Sequence, residues 1–382
     1  MIDIERPVSR PTADCIRNSF RSSGKRHLIL TGSRGSGKTT RLDQLFPKTL
    51  PGAVSWVEPK KAVYLRDNIT GEVRQVGVFD PELPGGENRM QPRSEVFAGW
   101  GAELLRRWGG TDSAWARIDE IGYLECTCPE YRAGLLELME KKRLAAVVRK
   151  QPIPFLTALC TREDAFTVDL DAPYGHLGCV IMASGLGRRF GGNKLLAPFR
   201  GKPLMEWVLD ATEGIFERRV VVTRHEAVAA LCRQRSIPTV LHSLPRRADT
   251  VRLGLEALGD LDGCLFCPGD QPLLRPETLQ AMALCAANDP QTIWRAGWNG
   301  GGGAPVLFPR WTFPELRTLP PDRGGGFVIQ KYPHQTALVP VGDPMEMRDI
   351  DTPEDLAALE AMAQSCRTST ADSATAECVP GP

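Results

Sequence analysis

Two glycine-rich loops of different design occur in this chain, and each follows a short apolar run. The first reads GSRGSGKT over residues 32–39, and the second reads GLGRRFGGNK over residues 185–194. Glycines after a buried strand let backbone N–H groups curl around phosphate oxygens, and each loop carries a lysine that can meet the same oxygens. The sequence therefore predicts two nucleoside triphosphate sites of different chemistry.

The length and the charge limit what such a chain can be. With 382 residues it is too long for one ordinary core, so we expect two domains. The 47 basic and 46 acidic residues give a formal charge of +1, which provides no basic field to hold nucleic acid. No apolar stretch is long enough to span a bilayer, and the N-terminus lacks the apolar core of a secretion signal. We therefore expect a cytoplasmic protein without nucleic-acid or membrane partners.

Strand-like and helix-like patterns alternate along most of the chain, which is typical of parallel sheets covered by helices. The prediction is an α/β protein of two domains. Short runs between Val54 and Phe79 predict hairpins, and a short helix is expected from Thr12 to Phe20. The predicted boundaries are an N-terminal arm at 1–26, a first domain at 27–172, a second domain at 177–363 and a disordered tail at 364–382, with the linker near 169–178.

The first loop fits G-x-x-x-x-G-K-[ST] at every defined position. In that pattern Lys38 reaches the β and γ oxygens of a triphosphate, and the Thr39 hydroxyl joins the shell of a Mg²⁺ ion. The following run, RLDQLF, has a helical pattern, so the positive end of a helix would face the phosphates. The predicted nucleotide-binding residues here are Gly32, Gly35, Gly37, Lys38, Thr39 and Thr40.

A second element, ARIDEIGYLE, supports the first loop. It places Asp119 at the end of an apolar run, where a carboxylate can hold magnesium through water, and Glu120 could polarise an attacking water. GSRGSGKTT followed by DEIGYLE resembles the small P-loop nucleoside-triphosphatase family whose Walker B signature is DEIG followed by a glutamate. The resemblance implies ATP or GTP at this loop, with Lys38, Thr39, Asp119 and Glu120 as nucleotide, magnesium and catalytic positions.

The second loop lacks the GK[ST] ending and is therefore not a second loop of the first kind. Its pattern predicts a strand, a glycine-rich turn and then a helix from Pro203 to Ile215. Arg188 or Arg189, together with Lys194, would bring positive charge to a triphosphate held by the backbone at Gly185 and Gly187.

Two aspartates downstream are candidates for magnesium binding at the second loop. Asp270 follows the strand-like run CLFCPG, at the carboxyl edge of a sheet where ligands of open α/β folds bind. Asp351 lies in RDIDTPEDL, which also reads as a helix start with Thr352 as the cap and Pro353 in the first turn. A magnesium role and a capping role are both open for Asp351.

Several segments over residues 178–362 together resemble one family. MASGLGRRFGGNKLL, RADTVRLGLEAL, PGDQP, GGGGAPVLF, PDRGGG and DIDTPEDL are similar to the MobA-like nucleotidyltransferases, in particular the molybdenum cofactor cytidylyltransferases. The resemblance implies a Rossmann-like fold that transfers CMP from CTP to the terminal phosphate of molybdopterin and releases pyrophosphate. A molybdenum hydroxylase would then receive the cofactor.

The same resemblance assigns residues to roles at the second site. Lys194 and Asp270 are the catalytic candidates, and Asp270 with Asp351 would hold Mg²⁺. The nucleotide-binding candidates are Ala183, Gly185, Arg189, Lys194, Thr250 and Gly254.

Two departures from the family pattern leave the choice between CTP and GTP open. Ser184 stands where alanine is commoner, and Gly187 stands where serine is usual. Guanylyl transfer or other nucleotidyl transfer by the same domain is therefore an alternative. A different class is a nucleotide-driven switch or metallochaperone that delivers the cofactor without catalysing transfer. The sequence does not indicate the oligomeric state or the metal status of the acceptor.

Overall fold

The computed structural model describes residues 8–83 and 89–361. The chain divides into two compact units between Pro173 and Tyr174, within the predicted linker. Residues 8 and 9 belong with the second unit. The predicted tail at 364–382 and residues 1–7 of the predicted arm lie outside the described residues. Within the described ranges, no helix combines the length and the apolar character needed to cross a bilayer.

The N-terminal unit is built on a sheet of eight strands in the order β5-β4-β3-β2-β6-β7-β1-β8. Five neighbouring strands, from β2 to β8, pair in parallel, and β3, β4 and β5 extend the sheet with antiparallel pairing. The strands are β1 (His27–Thr31), β2 (Gly52–Glu58), β3 (Ala62–Asp67), β4 (Val73–Phe79), β5 (Met90–Pro92), β6 (Trp115–Ile121), β7 (Arg143–Val148) and β8 (Ala165–Asp169).

Helices cover this sheet. They are α1 (Ala13–Ser23), α2 (Lys38–Leu45), α3 (Ser94–Val96), α4 (Ala102–Gly109), α5 (Tyr123–Cys126), α6 (Pro129–Lys141) and α7 (Pro154–Cys160), and a π-helical turn (Phe97–Gly101) joins α3 to α4. β1 is buried along its whole length, as expected of a parallel strand covered on both faces. The hairpins predicted between Val54 and Phe79 are confirmed by the antiparallel pairing of β2, β3 and β4.

The segment predicted as an N-terminal arm contributes a packed helix to this unit. Thr12 caps α1, with its side chain accepting a hydrogen bond from the Cys15 N–H at 3.1 Å. Cys15, Ile16 and Phe20 are buried on one face of the helix. This spacing is that of an amphipathic helix packed through one face. Residues 10–26 are accordingly part of the compact N-terminal unit.

The C-terminal unit contains a seven-stranded sheet in the order β13-β12-β9-β14-β16-β15-β17. β13, β12, β9 and β14 pair in parallel, and β16 joins antiparallel to β14. The strands are β9 (Leu177–Ala183), β12 (Arg218–Thr223), β13 (Thr239–Leu241), β14 (Gly263–Pro268), β15 (Ile293–Trp298), β16 (Gly301–Pro309) and β17 (Thr336–Pro340), and a separate two-stranded hairpin is formed by β10 (Pro198–Phe199) and β11 (Lys202–Pro203).

The helices of this unit are α8 (Leu204–Ala211), α9 (Glu226–Gln234), α10 (Arg247–Leu258), α11 (Pro276–Asn288), α12 (Phe313–Arg317), α13 (Gly326–Lys331) and α14 (residues 353–361). Both units therefore combine helices with sheets that are largely parallel, which confirms the predicted α/β class. In each sheet the carboxyl ends of adjacent parallel strands lie at one edge, which is the edge where ligands of open α/β folds bind.

The helix predicted from Pro203 to Ile215 is confirmed as α8, which spans Leu204–Ala211. Between the second glycine loop and α8, Lys194 opens a single 3₁₀ turn (Lys194–Leu196) and the β10–β11 hairpin follows. Pro198 and Pro203 disfavour an earlier helix start, because proline has no backbone N–H to donate and disfavours helical conformation in the residue before it.

Candidate nucleotide-binding sites

The first glycine loop joins β1 to α2 and depends on its glycines. Gly32, Gly35 and Gly37 have φ values of +141°, +80° and +92°, which side chains of L-residues rarely adopt. A Cβ on Gly32 would also lie 2.8 Å from the Ser36 hydroxyl. Because α2 begins at Lys38, the N-terminal end of this eight-residue helix faces the loop.

Lys38 and Thr39 connect this loop to the end of β6. The Lys38 ammonium donates to the carbonyls of Gly32 and Ser33 at 2.9 and 2.6 Å, so the side chain folds back over the loop. The Thr39 hydroxyl donates to Asp119 at 3.1 Å. Asp119 is buried, and loss of water around its carboxyl raises its pKa. The structure thus brings together three of the four residues that the first resemblance singled out.

Glu120, the fourth, has an unusual backbone. Its φ is +98°, and the pairing of β6 with β7 is irregular between Asp119 and Ile121, so the strand bulges at this residue. The bulge re-aims the Glu120 side chain, which forms an ion pair with Arg149 at the end of β7.

Two charged residues at this site were missed by the sequence analysis. The first is Arg149, the partner of Glu120. The second is Asp171, whose carboxylate accepts hydrogen bonds from the Ser33 backbone N–H and hydroxyl at 2.7 and 2.8 Å. The available signal was position, since Arg149 follows the apolar run AAVV and Asp171 comes just after β8, both at carboxyl ends of strands. Gly35 and Thr40, also predicted to bind nucleotide, lie exposed at the tip of the loop and in the first turn of α2.

The second glycine loop follows β9, whose last residue is Ala183, and it folds back so that Gly187 lies against Gly192. Gly187 has φ +58°, and a Cβ there would lie 2.3 Å from the Gly192 carbonyl oxygen. Gly185 is different, because a Cβ on it would meet no atom within 4 Å. Gly187 is therefore required by the loop itself, whereas Gly185 leaves open space in front of the backbone.

Lys194 lies at the centre of a charged cluster at the end of this loop. Its ammonium contacts Asp270 at 2.6 Å and Asp351 at 2.9 Å, and Asp351 also contacts the Arg189 guanidinium at 2.8 Å. Burial alone would lower the pKa of Lys194, but Asp270 and Asp351 raise it above its usual value. The hydrogen bond from Lys194 in turn lowers the pKa of Asp351. The lysine is thus held charged.

The structure separates the two roles that were open for Asp351. Asp355 accepts from the backbone N–H groups of Asp351 and Thr352, at 3.1 and 3.0 Å, and the Thr352 hydroxyl accepts from the Asp355 N–H at 3.2 Å. This reciprocal pair caps α14. The Asp351 carboxylate makes its contacts with Lys194 and Arg189 instead.

A third carboxylate, missed by the sequence analysis, stands near the cluster. Gln271 donates to Asp349 at 2.9 Å and to the Met347 carbonyl at 3.0 Å. Partial removal from water and the charge of Asp270 raise the pKa of Asp349. Its signal in the sequence was the alternation D-I-D, which places Asp349 two residues before Asp351.

The two remaining candidates, Thr250 and Gly254, lie on α10 and are buried. A Cβ on Gly254 would approach Val180 of β9 to 2.6 Å. Gly254 therefore allows α10 to pack closely on the sheet, and the structure does not join it to the Lys194 cluster.

Both sites offer oxygen ligands suited to Mg²⁺. Asp270 and Asp351 converge on one cationic group, the Lys194 ammonium, and at the first site the Thr39 hydroxyl and Asp119 carboxylate are in contact. Among residues 8–83 and 89–361, no group of three or more His, Cys, Asp or Glu side chains is placed to hold a metal. One or two carboxylates combined with substrate phosphates is the usual way proteins bind Mg²⁺, so the residues present fit this ion.

The parallel strands, the second glycine loop and Lys194 lie in the part of the chain that resembles a known family. Residues 179–336 match the family model described as the MobA-like NTP transferase domain. The C-terminal half of the chain therefore carries a MobA-like domain of a class that uses nucleoside triphosphates.

Two curated relatives show how far the similarity reaches. The bifunctional protein GlmU of Desulfitobacterium hafniense (strain DSM 10664 / DCB-2) is 31% identical over 110 residues, which are 28% of this chain and 24% of GlmU. This chain thus spans about a quarter of that relative. The purine catabolism protein PucB of Bacillus subtilis (strain 168) is 26% identical over 192 residues, which are 46% of this chain and 92% of PucB.

Alignments with solved structures cover about half of the chain. Rv0371c from Mycobacterium tuberculosis H37Rv has a TM-score of 0.45 and 25% identity, covering 49% of this chain and 98% of its own. A complex of Rv0371c with manganese has a TM-score of 0.42 and 22% identity over the same shares. A nucleotidyl transferase from a Methanothermobacter species has a TM-score of 0.44 and 21% identity, covering 50% of this chain and 99% of its own.

Proposed function

We propose that the C-terminal unit transfers CMP from CTP to the terminal phosphate of molybdopterin and releases pyrophosphate. The observation that carries this proposal is the convergence of Lys194, Asp270 and Asp351 at the end of the second glycine loop. A buried ammonium held charged between two carboxylates can exchange them for the oxygens of a triphosphate and a metal.

The transfer needs no protein nucleophile. A terminal phosphate oxygen of the acceptor attacks the α-phosphorus in line, and the bond from that phosphorus to the bridging oxygen of pyrophosphate breaks. Lys194 and Arg189 would offset the charge that develops on the phosphoryl oxygens. Asp270 and Asp351 would hold Mg²⁺, which supplies further neutralisation of the triphosphate.

The decisive experiment compares nucleotides and one carboxylate variant. Purified protein with Mg²⁺, molybdopterin and CTP is expected to yield the cytosine dinucleotide and pyrophosphate, at a higher rate than with GTP. Asp270→Asn should reduce kcat about 10²–10³-fold, since loss of one transition-state partner has effects of that order. Asp260→Asn is the matched control, because the Asp260 side chain is 80% exposed, forms an ion pair with Arg310 and lies before β14, whereas Asp270 follows that strand.

Each alternative has a distinct outcome in this experiment. Faster turnover with GTP would establish guanylyl transfer, since the phosphate-binding residues do not read the base. No product from any nucleotide at high enzyme concentration, together with intact cofactor delivery by Asp270→Asn, would favour the switch or metallochaperone. Activity of Asp270→Asn equal to that of Asp260→Asn would overturn the role of this site.

We also propose that the N-terminal unit is a P-loop domain that hydrolyses a nucleoside triphosphate, ATP or GTP. The contact of Thr39 with Asp119 supports this, because it joins the glycine loop to the carboxylate expected to hold Mg²⁺. Lys38 would leave the loop carbonyls to meet the β and γ oxygens, and Glu120 would orient the attacking water.

Phosphate release tests this second proposal. Lys38→Ala should abolish hydrolysis and leave cytidylyl transfer intact if the two chemistries are independent. Lys48→Ala is the control, since Lys48 is 63% exposed and its ion pair with Asp43 lies outside the glycine loop. Undiminished hydrolysis by Lys38→Ala would refute the P-loop proposal, and loss of transfer in that variant would show that the two reactions are coupled.

A further inference from the structure

Arg149 occupies a position at the first site that none of the motifs explains. It is the first residue after β7, and its backbone N–H donates to the Ile121 carbonyl at 2.9 Å, which fixes it beside the bulge of β6. Its guanidinium pairs with Glu120, the residue proposed to orient water, and the two side chains line one cleft.

The stem of Arg149 passes over Gly122. A Cβ on Gly122 would lie 2.9 Å from the Arg149 Cδ and 3.5 Å from its Nε. Real Cβ atoms do not approach neighbours that closely, so this glycine leaves the space through which the arginine side chain runs. The glycine of the DEIG sequence therefore has a physical function: it lets an arginine from the neighbouring strand reach Glu120.

The charge of Arg149 acts at the lysine of the glycine loop. Burial lowers the pKa of Lys38, Glu120 opposes that change, and Arg149 adds to it. Arg149 and Glu120 are therefore both within electrostatic reach of the group expected to bind the γ-phosphate. The Arg149 side chain is 27% exposed, which leaves it room to reorient.

We propose that Arg149 is a catalytic residue of triphosphate hydrolysis, supplied by the chain itself, which exchanges Glu120 for the γ-phosphate when the triphosphate binds. This inference rests on the proposed hydrolysis by the N-terminal unit. The exchange is favourable because a phosphate carries more negative charge than one carboxylate and matches the fork of a guanidinium. It also frees the Glu120 oxygen that the ion pair occupies.

In the hydrolysis step Glu120 acts as the base and Arg149 stabilises the transferring group. A water oxygen bonds to the γ-phosphorus while the bond from that phosphorus to the β–γ bridging oxygen breaks. Glu120 accepts a proton from the water, and the nucleoside diphosphate leaves with the electron pair of the broken bond. Arg149 donates to oxygens of the transferring group, where negative charge accumulates.

The test is the effect of Arg149→Ala on turnover and on nucleotide binding in the full chain. We expect kcat for phosphate release to fall about 10³-fold, at the lower end of the range found for arginines that stabilise phosphoryl transfer. The Kd for a fluorescent ATP analogue should change less than about threefold, since the exchange strengthens in the transition state. Added guanidinium ion at tens of millimolar should restore part of the kcat. Arg106→Ala is the control, because Arg106 is exposed on α4 and hydrogen-bonds within its own helix.

A second variant keeps the test decisive if Arg149→Ala does not fold. Arg149→Lys keeps the stem over Gly122 and one charge but loses the fork, so we expect about a tenfold loss of kcat. Full activity in Arg149→Lys, or in a folded Arg149→Ala, overturns the proposal. Absence of hydrolysis by the unaltered protein would instead refute the parent proposal, so the two failures are distinguishable.

Discussion

The Asp351 carboxylate lies 2.9 Å from the Lys194 ammonium, although the two residues are 157 positions apart in the sequence. This contact joins the end of the glycine loop to the segment that precedes the last described helix. Since Thr352 and Asp355 cap that helix, the position of the Asp351 side chain is explained by Lys194 and Arg189, not by helix initiation.

Asp351→Asn and Asp355→Asn should therefore have opposite effects. We expect Asp351→Asn to reduce transferase kcat by at least about 10²-fold with little change in Tm, because it removes a carboxylate proposed to hold Mg²⁺. Asp355→Asn should lower stability by about 1 kcal/mol through the weakened cap, with kcat nearly unchanged. Steady-state kinetics and thermal unfolding of both variants check this. Equal losses of activity would show that the cap, and not the Asp351 charge, determines the site.

The two loop glycines separate folding from binding at the second site. Gly185→Ala meets no atom within 4 Å, so we expect an unchanged Tm and CTP affinity weakened about tenfold, because the methyl group fills the space where phosphate would approach the backbone. Gly187→Ala, with φ +58° and a clash at the Gly192 carbonyl, should distort the loop and lower the stability as well. Calorimetric titration with CTP and thermal unfolding distinguish the cases. An unaltered CTP affinity in Gly185→Ala would remove this glycine from the site.

Gly254→Ala tests packing against nucleotide binding. Because the added methyl group would press on Val180 at 2.6 Å, we expect a loss of stability of about 1–3 kcal/mol, typical of an overfilled core. CTP affinity at a temperature where the variant is folded should stay within about threefold of the original, since the glycine lies apart from the Lys194 cluster. Denaturant unfolding and titration measure the two quantities. Unchanged stability with lost CTP affinity would restore the predicted role of Gly254 in nucleotide binding.

Glu125 makes the stability of the N-terminal unit depend on pH. Complete burial raises the pKa of this carboxyl from 4.5 to about 7. The folded state therefore holds the proton more tightly than the unfolded state, and folding becomes less favourable as the pH rises from about 4.5 to about 7. Below that window the penalty is absent, and above it the penalty is fully present.

Glu125→Gln should remove this dependence, because the amide oxygen can still accept from the Gly122 N–H that bonds Glu125 at 2.8 Å. We expect the variant to match the original near pH 4 and to exceed its unfolding free energy by roughly 2–4 kcal/mol at pH 8, the order set by a shift of this size. Hydrogen exchange of β6 amides at the two pH values measures the difference. If the difference in unfolding free energy between Glu125→Gln and the original protein were the same at both pH values, ionisation of Glu125 would not be its cause.

Site residues that lie close together within one sequence motif were the easiest to predict. GSRGSGKT fixes both the loop conformation and the lysine, so Lys38 and Thr39 could be located from spacing alone, and the carboxyl end of an apolar run located Asp119 and Asp270. The alternation of strands and helices likewise indicated the α/β class.

Residues that act through neighbours across the sheet could not be predicted in the same way. Arg149 and Asp171 stand alone in sequence, and only the order of β6, β7, β1 and β8 shows which loop they meet. Gly254 has no local signal that separates packing from binding, because the Val180 side chain it accommodates lies on another strand. The helix after the second loop was predicted at nearly its observed place, whereas the 3₁₀ turn and the β10–β11 hairpin before it had no clear signal in the apolar pattern.

Because α8 begins well after the second glycine loop, the two loops differ in the source of their positive charge. The first loop ends in the N-terminus of α2, whose peptide dipoles are fixed in the fold, whereas the second loop ends in a single 3₁₀ turn and relies on the cationic side chains of Lys194 and Arg189. The Arg189 side chain is 73% exposed, so dissolved salt screens its charge. Raising the ionic strength should therefore weaken CTP binding more steeply than triphosphate binding at the first loop, so that salt becomes a means of studying one reaction while the other continues.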